Sequence, residues 1–204
     1  MELYSNKILP YLLDWSLSDA NLAVHRQEIL ASVKGKVLEI GFGTGLNLPH
    51  YPKNVTSIVT VDINSGVSKL AQKRIQSSGI SVDCRVLNGE ELPMEDNTFD
   101  SVVSTFTLCS IDRIEQALAE VYRVLKPQGK FFFLEHGLSN EPKIQVWQNR
   151  LTPIQKAIAG GCHLNRNIKQ IVENQFDTVS LKELYADHLP ILWAYLYRGV
   201  ATKE

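Results

Sequence analysis

The feature that most constrains the fold is a short apolar run that ends in three closely spaced glycines, Val37-Leu-Glu-Ile-Gly-Phe-Gly-Thr-Gly45. Such a run predicts a buried strand, because continuous apolar character is typical of strands covered on both faces. Glycine has no β-carbon and tolerates positive φ, so Gly41, Gly43 and Gly45 let the backbone turn and approach a ligand closely. The run therefore predicts a ligand site directly after a buried strand.

Further short apolar runs alternate with helical patterns after Lys36. Strands are predicted at Val37 to Ile40, Ser57 to Val61, Ser81 to Leu87, Ser101 to Thr105 and Lys130 to Glu135, with helices at Ser65 to Ser78 and Asp112 to Leu125. Lys126-Pro-Gln-Gly129 predicts a turn that ends the second of these helices. The alternation indicates repeated βαβ units, and hence a parallel sheet covered by helices on both faces.

The two ends of the chain have other patterns. Apolar residues at helical spacing in the first 33 residues predict one or two amphipathic helices, with a break near Ser16 to Asp19. After residue 140, helices are predicted at Pro142 to Ala159 and Asn167 to Asn174, followed by strands at Thr178 to Leu184 and Trp193 to Ala201. The chain has 204 residues, 44% of them hydrophobic, which is enough for one core, so a single domain over residues 1–204 is expected.

Composition argues against several classes of partner. The formal charge of −1 and a pI near 6.5 leave no excess of Lys and Arg for a polyanion footprint, so nucleic acid is not an expected partner. Cys84, Cys109 and Cys162 are widely spaced, which indicates neither a disulfide framework nor a metal site and favours a reducing, cytoplasmic setting. No signal peptide and no membrane span is predicted, so a soluble protein is expected.

Two carboxylates indicate which kind of ligand the glycine loop binds. Glu39 comes just before the loop, where it would repel a pyrophosphate but suits a ligand with an ammonium group and a sulfonium, as in S-adenosylmethionine; the alternative is a solvated or capping carboxylate. A dinucleotide fingerprint would place its third glycine one position after Gly45, where this chain has Leu46. Asp62 ends the second predicted strand, where it can accept hydrogen bonds from ribose hydroxyls or cap the next helix.

Two later motifs complete a family pattern. Asn88-Gly-Glu-Glu-Leu-Pro-Met-Glu-Asp-Asn-Thr-Phe-Asp100 is followed by Val124-Leu-Lys-Pro-Gln-Gly-Lys130, and from about Val37 to Glu135 the chain resembles the class I S-adenosylmethionine-dependent methyltransferases. Asn88 stands where that family usually has Asp, and its amide oxygen can still accept the adenine amino proton. The resemblance implies an α/β fold: a Rossmann-like three-layer αβα sandwich, with a mostly parallel seven-stranded sheet, an antiparallel C-terminal strand and additional N-terminal helices.

The same resemblance implies the cofactor and its site. The cofactor is S-adenosyl-L-methionine and the product S-adenosyl-L-homocysteine. In-line displacement of its methyl group requires mainly a well-placed nucleophile and the exclusion of water. The interpretation divides the chain into an N-terminal helical lid (1–33), a cofactor-binding core (34–140) and acceptor-side helices with closing strands (141–204). The implied cofactor-binding residues are Glu39, Gly41, Phe42, Gly43, Gly45, Asn47, Asp62, Ile63, Asn88, Gly89, Glu90 and Thr105.

The C-terminal third is similar to a narrower group. Leu134-Glu-His136, Trp147-Gln148, Gly161-Cys-His-Leu-Asn-Arg166 and Thr107-Leu-Cys-Ser-Ile111 resemble the methyltransferase-like-seven group, which are thiol S-methyltransferases associated with membranes and lipid droplets. A small, apolar thiol acceptor is therefore implied. Alternatives are a phospholipid or small-molecule N- or O-methyltransferase, an NAD-dependent oxidoreductase, and a cofactor-binding module without transfer activity. Peripheral membrane contact and oligomeric state are left open, since the apolar N-terminal leader of that group is missing from this sequence.

Glu135 and His136 are the candidate acid–base residues, because they follow a predicted parallel strand at the sheet edge where ligands bind. The alternative is that this pair orders the connection to the next helix. Tyr4, Trp15 and Trp147 are candidates for an apolar acceptor pocket, with plain core packing as the alternative.

Cysteine and histidine also occur side by side at Cys162 and His163. A nucleophile or metal site would need a third partner, which the sequence does not show, so helix capping before Arg166 is favoured and no metal is predicted. Cys109 is expected near the transferred methyl as a small buried packing residue.

Overall fold

The computed structural model describes residues 8–63 and 67–204. It contains β1 (Val37–Ile40), β2 (Ser57–Asp62), β3 (Ser81–Val86), β4 (Phe99–Thr105), β5 (Leu125–His136), β6 (Thr178–Tyr185) and β7 (Tyr195–Thr202). These strands form one sheet in the order β3-β2-β1-β4-β5-β7-β6. Strands β1 to β5 pair in parallel, and β7 runs antiparallel to both of its neighbours. The predicted mostly parallel sheet with an antiparallel C-terminal strand is confirmed.

Helices cover both faces of this sheet. They are α1 (Leu9–Leu17), α2 (Ala20–Leu30), α3 (Val67–Ser78), α4 (Ile114–Val124), α5 (Pro142–Ile158) and α6 (Ile168–Glu173). The predicted break near Ser16 to Asp19 is confirmed: the side chain of Asp19 accepts hydrogen bonds from the backbone N–H groups of Asn21 and Leu22 in the first turn of α2 and so fixes where that helix begins. Ser65, the predicted start of α3, lies outside the described residues.

Strand β5 shows how the core is divided between the two faces. Its successive side chains point to opposite sides, as in any strand. Phe131 and Phe133 belong to a cluster that includes α4 and α6, whereas Phe132 and Leu134 pack in a second cluster with α2. The continuous apolar run in the sequence therefore reflects burial on both faces.

The prediction of a turn at Lys126-Pro-Gln-Gly129 is wrong in one respect, because the segment lies inside strand β5 and not before it. Strand β5 already begins at Leu125, which pairs with Phe99, and the ladder then shifts register and resumes at Lys130. The segment is thus a bulge within β5. Backbone groups at Gln128 and Gly129 pair with Lys203 beyond the end of β7, which is a long-range contact that local sequence does not reveal.

The carboxyl ends of β1, β2, β4 and β5 lie at one edge of the sheet, and the strand order reverses between β1 and β4. In sheets of this type, ligands bind in the crevice at that switch point. Within residues 8–63 and 67–204, each helix is too short or too polar to cross a lipid bilayer.

Candidate active site

A cavity of about 490 Å³, here named the strand-edge cavity, opens at this switch point. Several side chains and backbone segments predicted as cofactor-binding line it together. They come from the turns after β1, β2 and β3, and they are Gly41, Asp62, Ile63, Asn88, Gly89 and Glu90. Helix α1 and the segment after β4 close the opposite side through Leu9, Leu13, Phe106 and Thr107.

The glycine loop has the conformation that its composition predicts. Gly41, Gly43 and Gly45 all have positive φ, at 73°, 56° and 78°. A β-carbon on Gly41 would lie only 1.8 Å from the Thr107 hydroxyl, so the loop approaches the segment after β4 as closely as glycine allows. The backbone N–H of Gly43 donates to Asp62 Oδ2 at 2.9 Å, which orients that carboxylate at the cavity wall.

The segment after β3 is held by its own acidic side chain. Asn88 Oδ1 accepts the backbone N–H of Glu90 at 3.0 Å. The Glu90 carboxylate accepts the backbone N–H of Arg113 at 2.9 Å and its Nε at 2.8 Å, and these hydrogen bonds lower the pKa of Glu90. Glu90 therefore fixes the start of α4, while Asn88 stays at the cavity wall with a second lone pair on its amide oxygen.

A second, smaller cavity of about 80 Å³ lies between α1, α2 and the glycine loop; we name it the small polar cavity. Arg26 from α2 lines it and is only 3% exposed. Its Nη1 donates to Asn47 Oδ1 at 3.2 Å and to Thr105 Oγ1 at 3.0 Å, and Nη2 donates to the carbonyl of Leu17. Burial lowers the pKa of Arg26 to about 10, so the guanidinium is still charged at neutral pH. Phe42 borders the same cavity while packing into the core.

Sequence reasoning missed Arg26, although a signal was present. Position 26 falls on the same helical face as Leu22, Ile29 and Leu30, all of which are buried. A lone charge on a face that otherwise enters the core needs a partner or a ligand.

Glu39 is neither solvated nor at a helix terminus. It is 1% exposed, one carboxylate oxygen accepts Asn47 Nδ2 at 2.8 Å, and the other accepts the Tyr51 hydroxyl at 2.8 Å. Burial raises the pKa of Glu39 to about 7. Asn47 joins it to Arg26, so Glu39 lies behind the small polar cavity and positions the residues that line it.

A third cavity, of about 410 Å³, adjoins the strand-edge cavity and is named the apolar cavity. The two share the walls formed by Leu9, Leu13, Phe106, Ser110 and Ala159. Leu17, Ile158, Leu189, Pro190 and Trp193 complete its apolar lining. Among the described residues, its polar lining consists of Ser16, Cys109, Ser110, His136, Gln155 and Cys162, without a carboxylate.

The predicted acceptor aromatics lie elsewhere. Trp15 is 81% exposed and Trp147 is 55% exposed, and in the described part of the chain neither lines one of the three cavities. Arg150 lies over the Trp147 ring at 5.6 Å, on the outer face of α5. Tyr4 lies outside the described residues. Trp193, which the sequence pattern assigned to a strand, precedes β7 and lines the apolar cavity together with the aromatic Phe106.

Glu135 and His136 end β5 and are both buried, but their surroundings differ. Glu135 Oε1 accepts the Ser104 hydroxyl at 2.9 Å and the Thr107 backbone N–H at 3.0 Å, so this carboxylate holds the segment after β4. Burial raises the pKa of Glu135. His136 lines the apolar cavity instead, with Nε2 at 3.1 Å from Cys162 Sγ.

The partner of Cys162 that the sequence did not show is therefore His136, and not the adjacent His163. His163 Nδ1 contacts the carbonyl of Cys109 at 3.0 Å, which ties the two segments together. Cys109 lies close to this pair. Each of the residues Cys109, His136 and Cys162 has one potential metal-ligand atom, and these three atoms lie within 4.8 Å of one another.

Comparison with known proteins defines the class. A family model described as a methyltransferase domain matches residues 38–133. A solved structure from Thermotoga maritima, described as a possible histamine N-methyltransferase, has a TM-score of 0.69 and 18% identity over 98% of this chain and 97% of its own. A Haemonchus contortus phosphoethanolamine N-methyltransferase, solved with S-adenosylhomocysteine, has a TM-score of 0.70 and 14% identity over 95% of this chain and 57% of its own. These likenesses show the Rossmann-like fold of the class I methyltransferases.

Curated relatives narrow the class to a family. The human thiol S-methyltransferase TMT1A is 33% identical over 79% of this chain and 67% of its own, and human TMT1B is 31% identical over 85% and 77%. Rat TMT1B is 38% identical over 72% of this chain, which spans 62% of that relative's length. The chain belongs to this family of S-adenosylmethionine-dependent methyltransferases. The predicted resemblance is confirmed, and membership decides against an NAD-dependent oxidoreductase.

Proposed function

We propose that the protein binds S-adenosylmethionine across the strand-edge and small polar cavities and transfers its methyl group to a small, apolar thiol in the apolar cavity. The observation that carries this proposal is the wall shared by the strand-edge and apolar cavities, because two adjoining cavities at the sheet edge would hold a donor and an acceptor side by side. The names of the TMT1 relatives support a thiol as the acceptor.

The nucleoside end of the cofactor fits the strand-edge cavity. Asp62, oriented by Gly43, presents a carboxylate where ribose hydroxyls donate hydrogen bonds in folds of this type. Asn88 and Gly89 offer an amide oxygen and a close backbone approach to the adenine edge, and Ile63 and Leu87 supply apolar contacts nearby.

The amino-acid end fits the small polar cavity, where we assign Arg26 to the cofactor carboxylate. The hydrogen bonds that Arg26 donates go to neutral oxygens of Asn47, Thr105 and Leu17. A buried cation is strongly stabilised by an anion within hydrogen-bond distance, and a guanidinium matches the geometry of a carboxylate. Glu39, behind Asn47, orients that amide and adds a compensating charge as its carboxyl ionises.

The chemistry suits a thiol better than an alcohol. When bound, the cofactor supplies a methyl group already activated by positively charged sulfur. The chain must hold the nucleophile in line and exclude water, which the apolar lining does. A thiol needs little help to lose its proton, whereas an alcohol needs a strong base, and no carboxylate of the described residues faces the apolar cavity.

Calorimetric titration with S-adenosylhomocysteine tests the cofactor site. We expect tight binding by the native chain and loss of binding in Asp62→Ala. Asp83→Ala, which removes an exposed carboxylate on β3, is the matched control and should bind normally. Absence of binding by the native chain would reject the proposal.

Labelled cofactor incubated with thiols, amines, phenols and phosphatidylethanolamine tests the acceptor. We expect label in the apolar thiols. Label found only in an amine, a phenol or the phospholipid would replace thiol transfer by the corresponding N- or O-methyltransferase activity.

A further inference from the structure

Three side chains capable of binding a soft metal converge at the wall of the apolar cavity. Cys109 comes from the short 3-10 helix after β4, His136 from the end of β5 and Cys162 from the segment after α5. All three are buried, and one potential ligand atom from each lies within 4.8 Å of the others. His136 Nδ1 is buried without a hydrogen-bond partner among the residues that the structure describes.

The backbone holds the three segments in place. The carbonyl of Cys109 accepts both the backbone N–H and Nδ1 of His163, at 2.8 and 3.0 Å. His136 belongs to a continuous ladder with β7, where it pairs with Leu196. The cluster therefore rests on fixed elements, as a preorganised binding site requires.

The distances suit a tetrahedral ion. With Zn–S near 2.3 Å and Zn–N near 2.0 to 2.1 Å, the ligand atoms of such a site are about 3.5 to 3.8 Å apart. His136 Nε2 and Cys162 Sγ are 3.1 Å apart, and the three ligand atoms all lie within 4.8 Å of one another, a range that includes this spacing. Two thiolates and one neutral imidazole also balance the charge of a divalent ion, which matters in apolar surroundings.

We propose that Cys109, His136 and Cys162 bind a thiophilic divalent ion of the zinc type, whose fourth position faces the apolar cavity and binds the acceptor sulfur. Three protein ligands with an open fourth position are the pattern of catalytic zinc sites, and the cavity gives that position access to a substrate. The acceptor part of this proposal rests on the proposed methyl transfer; metal binding itself does not.

The reaction balances without an oxidant. The acceptor thiol releases its proton to solvent as its sulfur coordinates the ion as thiolate. A lone pair of that sulfur forms the new bond to the methyl carbon, and the breaking carbon–sulfur bond leaves its electron pair on S-adenosylhomocysteine. Bound thiolate gives the metal site a single negative charge, and methylation returns it to neutrality, so the weakly coordinating thioether is released.

A disulfide between the two cysteines is the competing interpretation. It would use two of the three residues and would give no role to His136 Nε2, which lies 3.1 Å from Cys162 Sγ. The metal uses all three, and it gives the cluster a role in the cavity that it lines.

Titration of the fully reduced native chain with Co²⁺ tests the site, because cobalt replaces zinc in tetrahedral thiolate sites and is visible. We expect a single Co²⁺ per chain with a thiolate-to-cobalt charge-transfer band, and its displacement by Zn²⁺. Cys109→Ser, Cys162→Ser and His136→Gln should each weaken binding about 100-fold or more, since each loses a direct ligand. Cys84→Ser is the matched control, because that thiol is exposed on β3, and it should bind like the native chain.

The acceptor is tested by adding a small apolar thiol to the cobalt form in the presence of S-adenosylhomocysteine. We expect a stronger charge-transfer band, which the alcohol of the same shape should not produce. No metal binding by the reduced chain, or binding retained in the three cluster variants, would overturn the proposal, and an unchanged band would overturn its acceptor part. Calorimetry with S-adenosylhomocysteine separates the outcomes. A chain that binds S-adenosylhomocysteine but no metal refutes this site alone, whereas a chain that does not bind S-adenosylhomocysteine refutes the proposed function.

Discussion

Replacing Arg26 by Met should weaken binding of S-adenosylhomocysteine selectively through its amino-acid end. Methionine fills a similar volume and removes the charge. A hydrogen bond to a charged group contributes about 1.5 to 3 kcal/mol, which corresponds to a loss of about 10- to 150-fold in affinity.

The effect on folding should be smaller. Asn47 Oδ1 and Thr105 Oγ1 each lose one donor but stay hydrogen-bonded to each other: Thr105 Oγ1 donates to Asn47 Oδ1 at 3.4 Å, and Asn47 Nδ2 donates to Thr105 Oγ1 at 3.1 Å. The carbonyl of Leu17 loses its described donor. The guanidinium of Arg26 is 3% exposed, so its removal also removes the free-energy cost of burying a charge. We expect the free energy of unfolding to change by about 1 kcal/mol.

Calorimetry with two ligands separates these effects. Methylthioadenosine keeps the nucleoside and lacks the amino-acid carboxylate, so its affinity should be nearly the same for Arg26→Met and the native chain. Arg85→Met, which removes a surface arginine on β3, should leave both affinities unchanged. If Arg26→Met weakened both ligands equally, or neither, the assignment of Arg26 to the carboxylate would be refuted.

Three further changes have defined outcomes. The pKa of Glu39 is about 7 in the folded chain against an ordinary 4.5. Its contribution to the free energy of unfolding is therefore complete below about pH 4.5 and is lost as the pH rises through about 7. By linkage, this contribution amounts to about 3 kcal/mol. In urea unfolding of the ligand-free protein, Glu39→Gln should remove the decrease in the free energy of unfolding between about pH 5 and 8, and the same pH dependence in the variant and the native chain would contradict this. Gly43→Ala should cost about 1 kcal/mol for its positive φ alone, whereas Gly41→Ala, which also meets the Thr107 side chain, should cost about 3 kcal/mol or more in the same assay. Trp193→Ala should raise the KM for an apolar thiol about tenfold by removing roughly 50 Å² of apolar contact, whereas the exposed Trp147→Ala should leave it unchanged; equal effects would remove Trp193 from the acceptor wall.

The sheet could be predicted from the sequence because its signals are local. A run such as Val37 to Ile40 is apolar throughout since both of its faces are covered, and the glycines that follow are needed for their positive φ. The position of Asp62 at the same edge follows from the parallel arrangement of strands. The bulge at Gln128 could not be predicted in this way, because its hydrogen bonds come from the far end of the chain.

The lining of the apolar cavity could be predicted less well for the same reason. Cys109, His136 and Cys162 belong to three distant segments, and only the folded chain brings them together. The sequence shows only His163 next to Cys162 and no further partner, whereas in the folded chain Cys162 contacts His136 and His163 contacts the carbonyl of Cys109. Aromatic content likewise pointed to Trp147, which faces solvent, and missed Trp193.

Helix α1 would give the two proposed ligands a common wall, since Leu9 and Leu13 line both the strand-edge and the apolar cavities. Any displacement of these two leucines by one ligand alters the surface offered to the other. Such coupling is reciprocal: the factor by which the cofactor changes acceptor affinity equals the factor by which the acceptor changes cofactor affinity. A substitution at Leu13 should therefore alter cooperativity between the two substrates, beyond its effect on either affinity alone.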